Sequence, residues 1–282
     1  MRLKPIVIAG LLLVNLQPVD AGSGPGVPAE GSTLTFGIVP QQTASKLLQS
    51  WGPLLQWLSQ RTGHDIQFKT APDIPTFESR LQKGEYDFAY MNPYHFTVFN
   101  RTAGYQAVVR ARNKRIHGII VVRRDSDIAE LDDLEGQQIA FPAPAAFAAT
   151  VLPRANLAAS GVQVEPRYVS SHDSVYRAVA GGFYPAGGGV VRTLRSAAPE
   201  IRDQLRVLWK SPGYTPHAIA VHPRVPAHWV DALRQALTEV HQTEDGRIVL
   251  ERLKISGFQD ASDDDWDDVR ALNIDALMGK AD

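Results

Sequence analysis

Apolar and polar positions along the chain alternate between two periods. Leu34-Thr-Phe-Gly-Ile-Val39 is a short apolar run stopped by Pro40 and reads as a strand. Thr43 then offers an N-cap to a stretch ending near Arg61, in which Leu47, Leu48, Trp51, Leu54, Leu55 and Leu58 recur every three or four residues. That spacing is the buried stripe of a helix, which Pro53 is expected to kink or split. The cycle repeats with Ile66–Phe68 as strand, Ile74–Lys83 as helix, Tyr86–Tyr90 as strand and a helix begun by Pro93 and running to Arg101. Gln106–Arg112 and Ile116–Val122 are β-rich runs split by a charged turn, which predicts a hairpin or paired crossing strands.

The pattern then restarts. Strands are expected at Gln138–Phe141 and Val164–Tyr168, and helices at Ala145–Ala159 and Val175–Ala180, with Ser170, Ser171 and Asp173 as caps of the latter. Gly187-Gly188-Gly189 reads as a glycine link into a helical stretch ending near Ala198, followed by the strand Leu205–Trp209. After the loop Ser211–Pro216, Ala218–Val221 is strand-like. Trp229–Gln242, Ile248–Leu253 and Asp265–Met278 are helical, giving a tail without a sheet of its own. Such alternation means α/β lobes with largely parallel sheets. The expected division is lobe 1 from 33 to 122, lobe 2 from 123 to 214, and a return to lobe 1 from 215 to 282, so that two crossovers make a hinge.

The first residues add a compartment. Arg2 and Lys4 precede an apolar run from Ile6 to Leu16, and Val19-Asp20-Ala21 offers small residues for cleavage. The run falls short of the ~20 apolar residues that span a bilayer, so 1–21 reads as a cleaved secretory signal, with no membrane insertion after cleavage, and 22–32 as a flexible leader. The expected location is the periplasm.

Charge and composition mainly exclude. Lys+Arg 29 against Asp+Glu 30 leaves no bulk positive field for nucleic acid, and the absence of cysteine removes disulfides, thiolate chemistry and cysteine metal sites. The eight histidines form no HExxH or HxH pair, and no G-x-S-x-G elbow, phosphate-binding P-loop or dinucleotide fingerprint is present. Ser170-Ser171-His172-Asp173 places triad residue types side by side, although neighbours in sequence rarely adopt triad geometry. The aspartates at 263–265, 267 and 268 suit a solvated helix start. An enzyme and a cofactor are therefore not expected. What remains is a set of loops delivered by strands to helix N-termini, where unpaired amide groups favour anions.

Phe36-Gly37-Ile38 with Pro40, Trp51-Gly52-Pro53-Leu54, Ala71-Pro72-Asp73, Gly84-Glu85-Tyr86-Asp87-Phe88-Ala89-Tyr90 and Trp209-Lys210-Ser211-Pro212 together resemble the phosphate/phosphite/phosphonate substrate-binding proteins of ABC transporters. The likeness runs from about Leu34 to at least His222. It implies a type II periplasmic binding fold, in which two α/β lobes close on a small ligand, and a membrane permease as partner; a sensor histidine kinase is the alternative partner. In phosphonate binders of that family a serine/threonine-rich loop holds the phosphonate oxygens. The matching stretch here is Pro144-Ala145-Ala146-Phe147-Ala148-Ala149, which lacks those hydroxyls. The acid that receives an aminoalkyl group falls near Pro185 and is also missing. His172 matches the histidine at the lobe-two helix start, and Tyr90 to Tyr94 the lobe-one aromatic loop. The ligand residues expected from these readings are Gln41, Tyr90, Asn92, Tyr94, Ala146, Phe147, Ala148 and His172. They suit a phosphorus-type oxyanion or, through Phe147, Tyr90 and Tyr94, an organic ligand.

Overall fold

The computed structural model describes residues 33–272 and Ile274. The export segment and leader read at 1–32, and most of the last stretch of the final predicted helix, lie outside those residues. Leu34–Ile38 (β1) enters Ala44–Thr62 (α1), where the Thr43 hydroxyl accepts the amide proton of Lys46 and Gly63, at φ 73°, turns the chain out of the helix. Leu47, Trp51, Leu54, Leu55 and Leu58 are buried, whereas Leu48 lies off their common face and is 51% exposed. Pro53 does not split the helix, which runs through it as one element.

The elements that follow are Ile66–Lys69 (β2), Ile74–Gln82 (α2), Phe88–Met91 (β3), Pro93–Ala103 (α3), Gln106–Ala111 (β4), Gly118–Arg123 (β5), Gln138–Phe141 (β6), Leu152–Ala159 (α4), Glu165–Tyr168 (β7), His172–Ala180 (α5) and Ala186–Val190 (β8). Val191–Arg195 (α6), Pro199–Arg202 (α7), Leu205–Lys210 (β9), Ala218–Val221 (β10), Ala227–Glu239 (α8), Glu244–Leu253 (α9), Phe258–Asp260 (β11) and Asp267–Arg270 (α10) complete them. The strands form two sheets, ordered β11-β4-β10-β3-β1-β2 and β7-β6-β8-β5-β9. In each, three parallel strands adjoin antiparallel ones. This is a two-lobe α/β architecture.

Three expectations are corrected. β4 and β5 do not pair with each other: β4 joins the first sheet and β5 the second, so the chain leaves lobe 1 through 112–117 and not near Val122. The tail does reach a sheet, because Phe258–Asp260 pairs with β4. Finally, Gly187–Gly189 is no link but the buried centre of β8. A Cβ on Gly188 would sit 1.8 Å from the Ala149 carbonyl oxygen, and one on Gly189 2.4 Å from the Tyr176 hydroxyl. The glycines let the neighbouring layer press onto the strand, and their weak strand propensity is overridden by that packing.

The second crossover, 211–217, runs beside the first. Ile116 and Tyr214 exchange amide hydrogen bonds at 2.9 and 3.0 Å, and the Ser211 hydroxyl accepts the Gly118 amide proton. The tail aspartates stand in the first turns of helical segments, Asp264 and Asp267 exposed, while Asp263 accepts from the Ala107 amide and Asp268 from the Thr215 amide and from Arg115. No group of three or more His, Asp or Glu among the described residues could hold a metal, and no described helix is long and apolar enough to cross a membrane.

Candidate functional site

The carboxyl ends of β1, β3, β6 and β8 all face the gap between the lobes. From lobe 1, Gln41 follows β1 and Asn92 caps α3, its Oδ1 accepting the His95 amide proton at 2.8 Å. From lobe 2, residues after β6 enter a short π-helical turn, Phe147–Val151, and Ser171 caps α5 so that His172 opens it. The first amide groups of a helix have no intrahelical acceptor, so the Phe147–Ala149 turn carries donors without needing hydroxyl side chains. The Thr150 hydroxyl, the nearest one in sequence, is spent on the Ala143 carbonyl.

Gln41, Asn92, Ala146, Phe147, Ala148, His172 and His217 line one small cage of about 10 Å³. A space of that size accommodates about one water-sized group, because the Phe147 ring, packed edge-to-face on Tyr214, fills much of the site. The cage meets a larger chamber of about 350 Å³ along Gln41, Ile116, Val190 and His217, and Tyr90 and Arg192 belong to the chamber. Tyr94 is brought to neither; it borders a separate cavity with Arg101, Val269 and Arg270, because the second position of α3 faces the tail. His95 also points away from the gap, with Nε2 3.0 Å from Glu78.

Protonation at the site follows from its hydrogen bonds. Arg192 can only donate, and gives a hydrogen bond to Gln41 Oε1 at 3.0 Å. That leaves the Gln41 amide nitrogen facing His217 Nε2 at 2.9 Å, so this ring nitrogen accepts and the His217 proton sits on Nδ1. Burial, reinforced by the Arg192 charge, holds the His217 pKa well below the usual imidazole value. Tyr90 stacks on His217 with ring centroids 4.8 Å apart, and its own pKa is raised by burial. In lobe 2 His172 Nδ1 lies 3.2 Å from Thr193 Oγ1, a hydroxyl also within hydrogen-bond distance of the Val190 carbonyl and the Tyr176 hydroxyl. Burial, with Arg192 adding to it, pushes the His172 pKa down to about 4. Both imidazoles are neutral at pH 7. The serine–histidine–aspartate run is therefore a helix start, with Ser171 bonded to the Ser174 amide and His172 to Thr193.

Several bonds cross from lobe to lobe. Besides Gln41–Arg192, Asn92 Nδ2 donates to the Ala145 carbonyl at 3.1 Å, and Lys46 pairs with Asp173 at 2.9 Å. The apolar cluster of lobe 1 also continues into Ala146–Leu152. The lobes are closed on each other.

A family model described as the phosphonate periplasmic substrate-binding protein of ABC transporters matches residues 36–266. The chain belongs to this family. The phosphate-import protein PhnD of Mycolicibacterium smegmatis is 25% identical over 232 residues, covering 73% of this chain and 72% of that one. The phosphonates-binding periplasmic protein of Escherichia coli is 24% identical over 279 residues, covering 91% and 81%. PhnD1 from Prochlorococcus marinus, solved in complex with methylphosphonate, superposes with a TM-score of 0.80 at 13% identity, covering 88% of this chain and 99% of that one. The fold is the type II periplasmic binding fold, and the family's members are substrate-binding components of importers.

In the loop after β6, Ala146, Phe147 and Ala148 are all buried. The resemblance would put an amine-binding acid near Pro185, outside the cleft. Pro185 precedes β8, whereas the cleft end of that strand carries Val190, Val191 and Arg192, roughly 16 Å away at strand rise. Arg192 and His217 are the site residues that sequence reasoning missed. Arg192 meets Gln41 across 151 positions, so no local pattern marks it. His217 precedes β10 in a loop whose local sequence carries no recognised motif.

Proposed function

We propose that this protein is exported to the periplasm and captures a phosphorus oxyanion of the phosphate or phosphonate type. It then closes on the ligand and presents it to an ABC permease. The observation that carries this reading is the meeting of Arg192, the amide groups of the Phe147–Ala149 turn and two neutral imidazoles at the mouth of a cage that no carboxylate lines. Such a site attracts negative charge and repels none. The bound ligand reported for the Prochlorococcus protein and the names of the two curated relatives support the same ligand class. No observation favours a sensor-kinase partner, and none assigns a catalytic role to the neutral histidines.

Isothermal titration and thermal melting with phosphate, phosphite, methylphosphonate and sulfate test this. A phosphorus oxyanion at 100 times its Kd is expected to stabilise the protein by about 2.7 kcal/mol, and Arg192→Ala is expected to weaken that binding at least tenfold. Failure of all three phosphorus compounds to bind, or a preference for sulfate, would overturn the reading.

A further inference from the structure

The chamber beside the cage has a charge pattern that the composition of the chain does not predict. Cations and anions are balanced overall, 29 against 30. Yet Lys114, Arg115, Arg192, Arg195, Lys210 and Lys254 line this cavity of about 350 Å³, and no carboxylate does. Asp268 neutralises Arg115 at 3.0 Å. The other five have no carboxylate partner among the described residues: Arg192 donates to the neutral Gln41 amide and Lys254 to the Ser196 hydroxyl, while Lys114, Arg195 and Lys210 have neither hydrogen bond nor ion pair.

These five cations reach the chamber from unrelated places. Lys114 lies on the first crossover, Lys210 ends β9, Arg192 and Arg195 share α6, and Lys254 closes α9 in a left-handed conformation. No single basic helix face accounts for the grouping. Like charges gathered around a concavity repel one another, and the low-dielectric walls concentrate their field. A phosphate or methylphosphonate, with at most about two negative charges near neutral pH, offsets fewer than half of them. The volume is within the range of sites for small organic molecules, and Tyr90, Val191 and Ile255 supply apolar wall beside the cations.

We infer that the chamber belongs to the ligand and that the physiological ligand carries two phosphoryl groups, as in an organic diphosphate. One phosphoryl group seats at the cage mouth beside Arg192, and the second lies among the remaining cations. This rests on the oxyanion reading of the cage and narrows its ligand class.

Titration of the purified protein with inorganic pyrophosphate and with methylphosphonate, at about 50 and 200 mM salt, separates the two readings. Pyrophosphate is expected to bind at least tenfold more tightly than methylphosphonate at low salt, with the advantage shrinking at high salt. In the Arg195→Ala/Lys210→Ala variant, whose two side chains are exposed and whose fold is checked by melting, the ratio of the two affinities is expected to fall tenfold or more. Methylphosphonate binding as tightly as pyrophosphate overturns the diphosphate proposal while leaving the oxyanion reading in place. An unchanged ratio in the double variant overturns the chamber's part in it. If neither compound binds, the diphosphate proposal falls, and the oxyanion reading falls with it only when phosphate and phosphite also fail to bind.

Discussion

His172 illustrates how one buried side chain sets a pH response. Its folded-state pKa of about 4 lies below the ordinary value of 6.5, because burial and Arg192 penalise the imidazolium. Between those values the unfolded chain holds a proton that the folded chain rejects, so stability is present above pH 6.5 and is lost as pH falls toward 4. The size is about 3 kcal/mol, and His217, also depressed, acts in the same direction. The melting temperature without ligand is therefore expected to fall between pH 6.5 and 4.5, and His172→Gln to flatten that slope; an identical slope in the variant would remove the residue from this role. Phe147 makes a second residue-scale case, because it fills the cage. Phe147→Ser is expected to cost about 3 kcal/mol through the void it leaves and to tighten methylphosphonate binding by supplying a hydroxyl, as titration of the variant would show.

At the scale of elements, the parts of the fold that were legible in the sequence are those fixed by local chemistry. The Thr43 cap, the Leu47–Leu58 stripe and the Pro93 start of α3 each act within a few residues, and both helices form where the pattern predicts, with Leu48 left exposed and α1 unbroken at Pro53. Misread elements were those whose identity depends on a distant neighbour. Three successive glycines read as a link because glycine is a poor strand former; they form a strand because Ala149, Val175 and Tyr176 press against the places where side chains would stand. Gly188→Ala is accordingly expected to cost about 3 kcal/mol or more from overpacking against the Ala149 carbonyl. A denaturation midpoint unchanged by this substitution would show that the layer yields. The same distinction runs through the site. The Phe147 loop and His172 were visible beside helix starts, while Tyr94 was misplaced because its neighbours, Val269 and Arg270, are contributed by the other end of the chain.

For the molecule as a whole, closure is held by apolar packing of Ala146–Leu152 on lobe 1 and by polar contacts between lobes, among them Gln41–Arg192, Asn92–Ala145 and Lys46–Asp173. Each of these polar contacts contributes on the order of 1 kcal/mol. The order of strands has a different consequence. All five strands of the second sheet come from 118–210, one uninterrupted stretch, whereas β10, from 218–221, lies between β3 and β4 of the first. As the chain emerges from a ribosome or a translocation pore, the second lobe has all its strands while the first still has a gap in the middle of its sheet. Pulsed hydrogen exchange during refolding is expected to show amides of β5–β9 protected before those of β3 and β4. The lobe that begins the chain is thus expected to finish folding last.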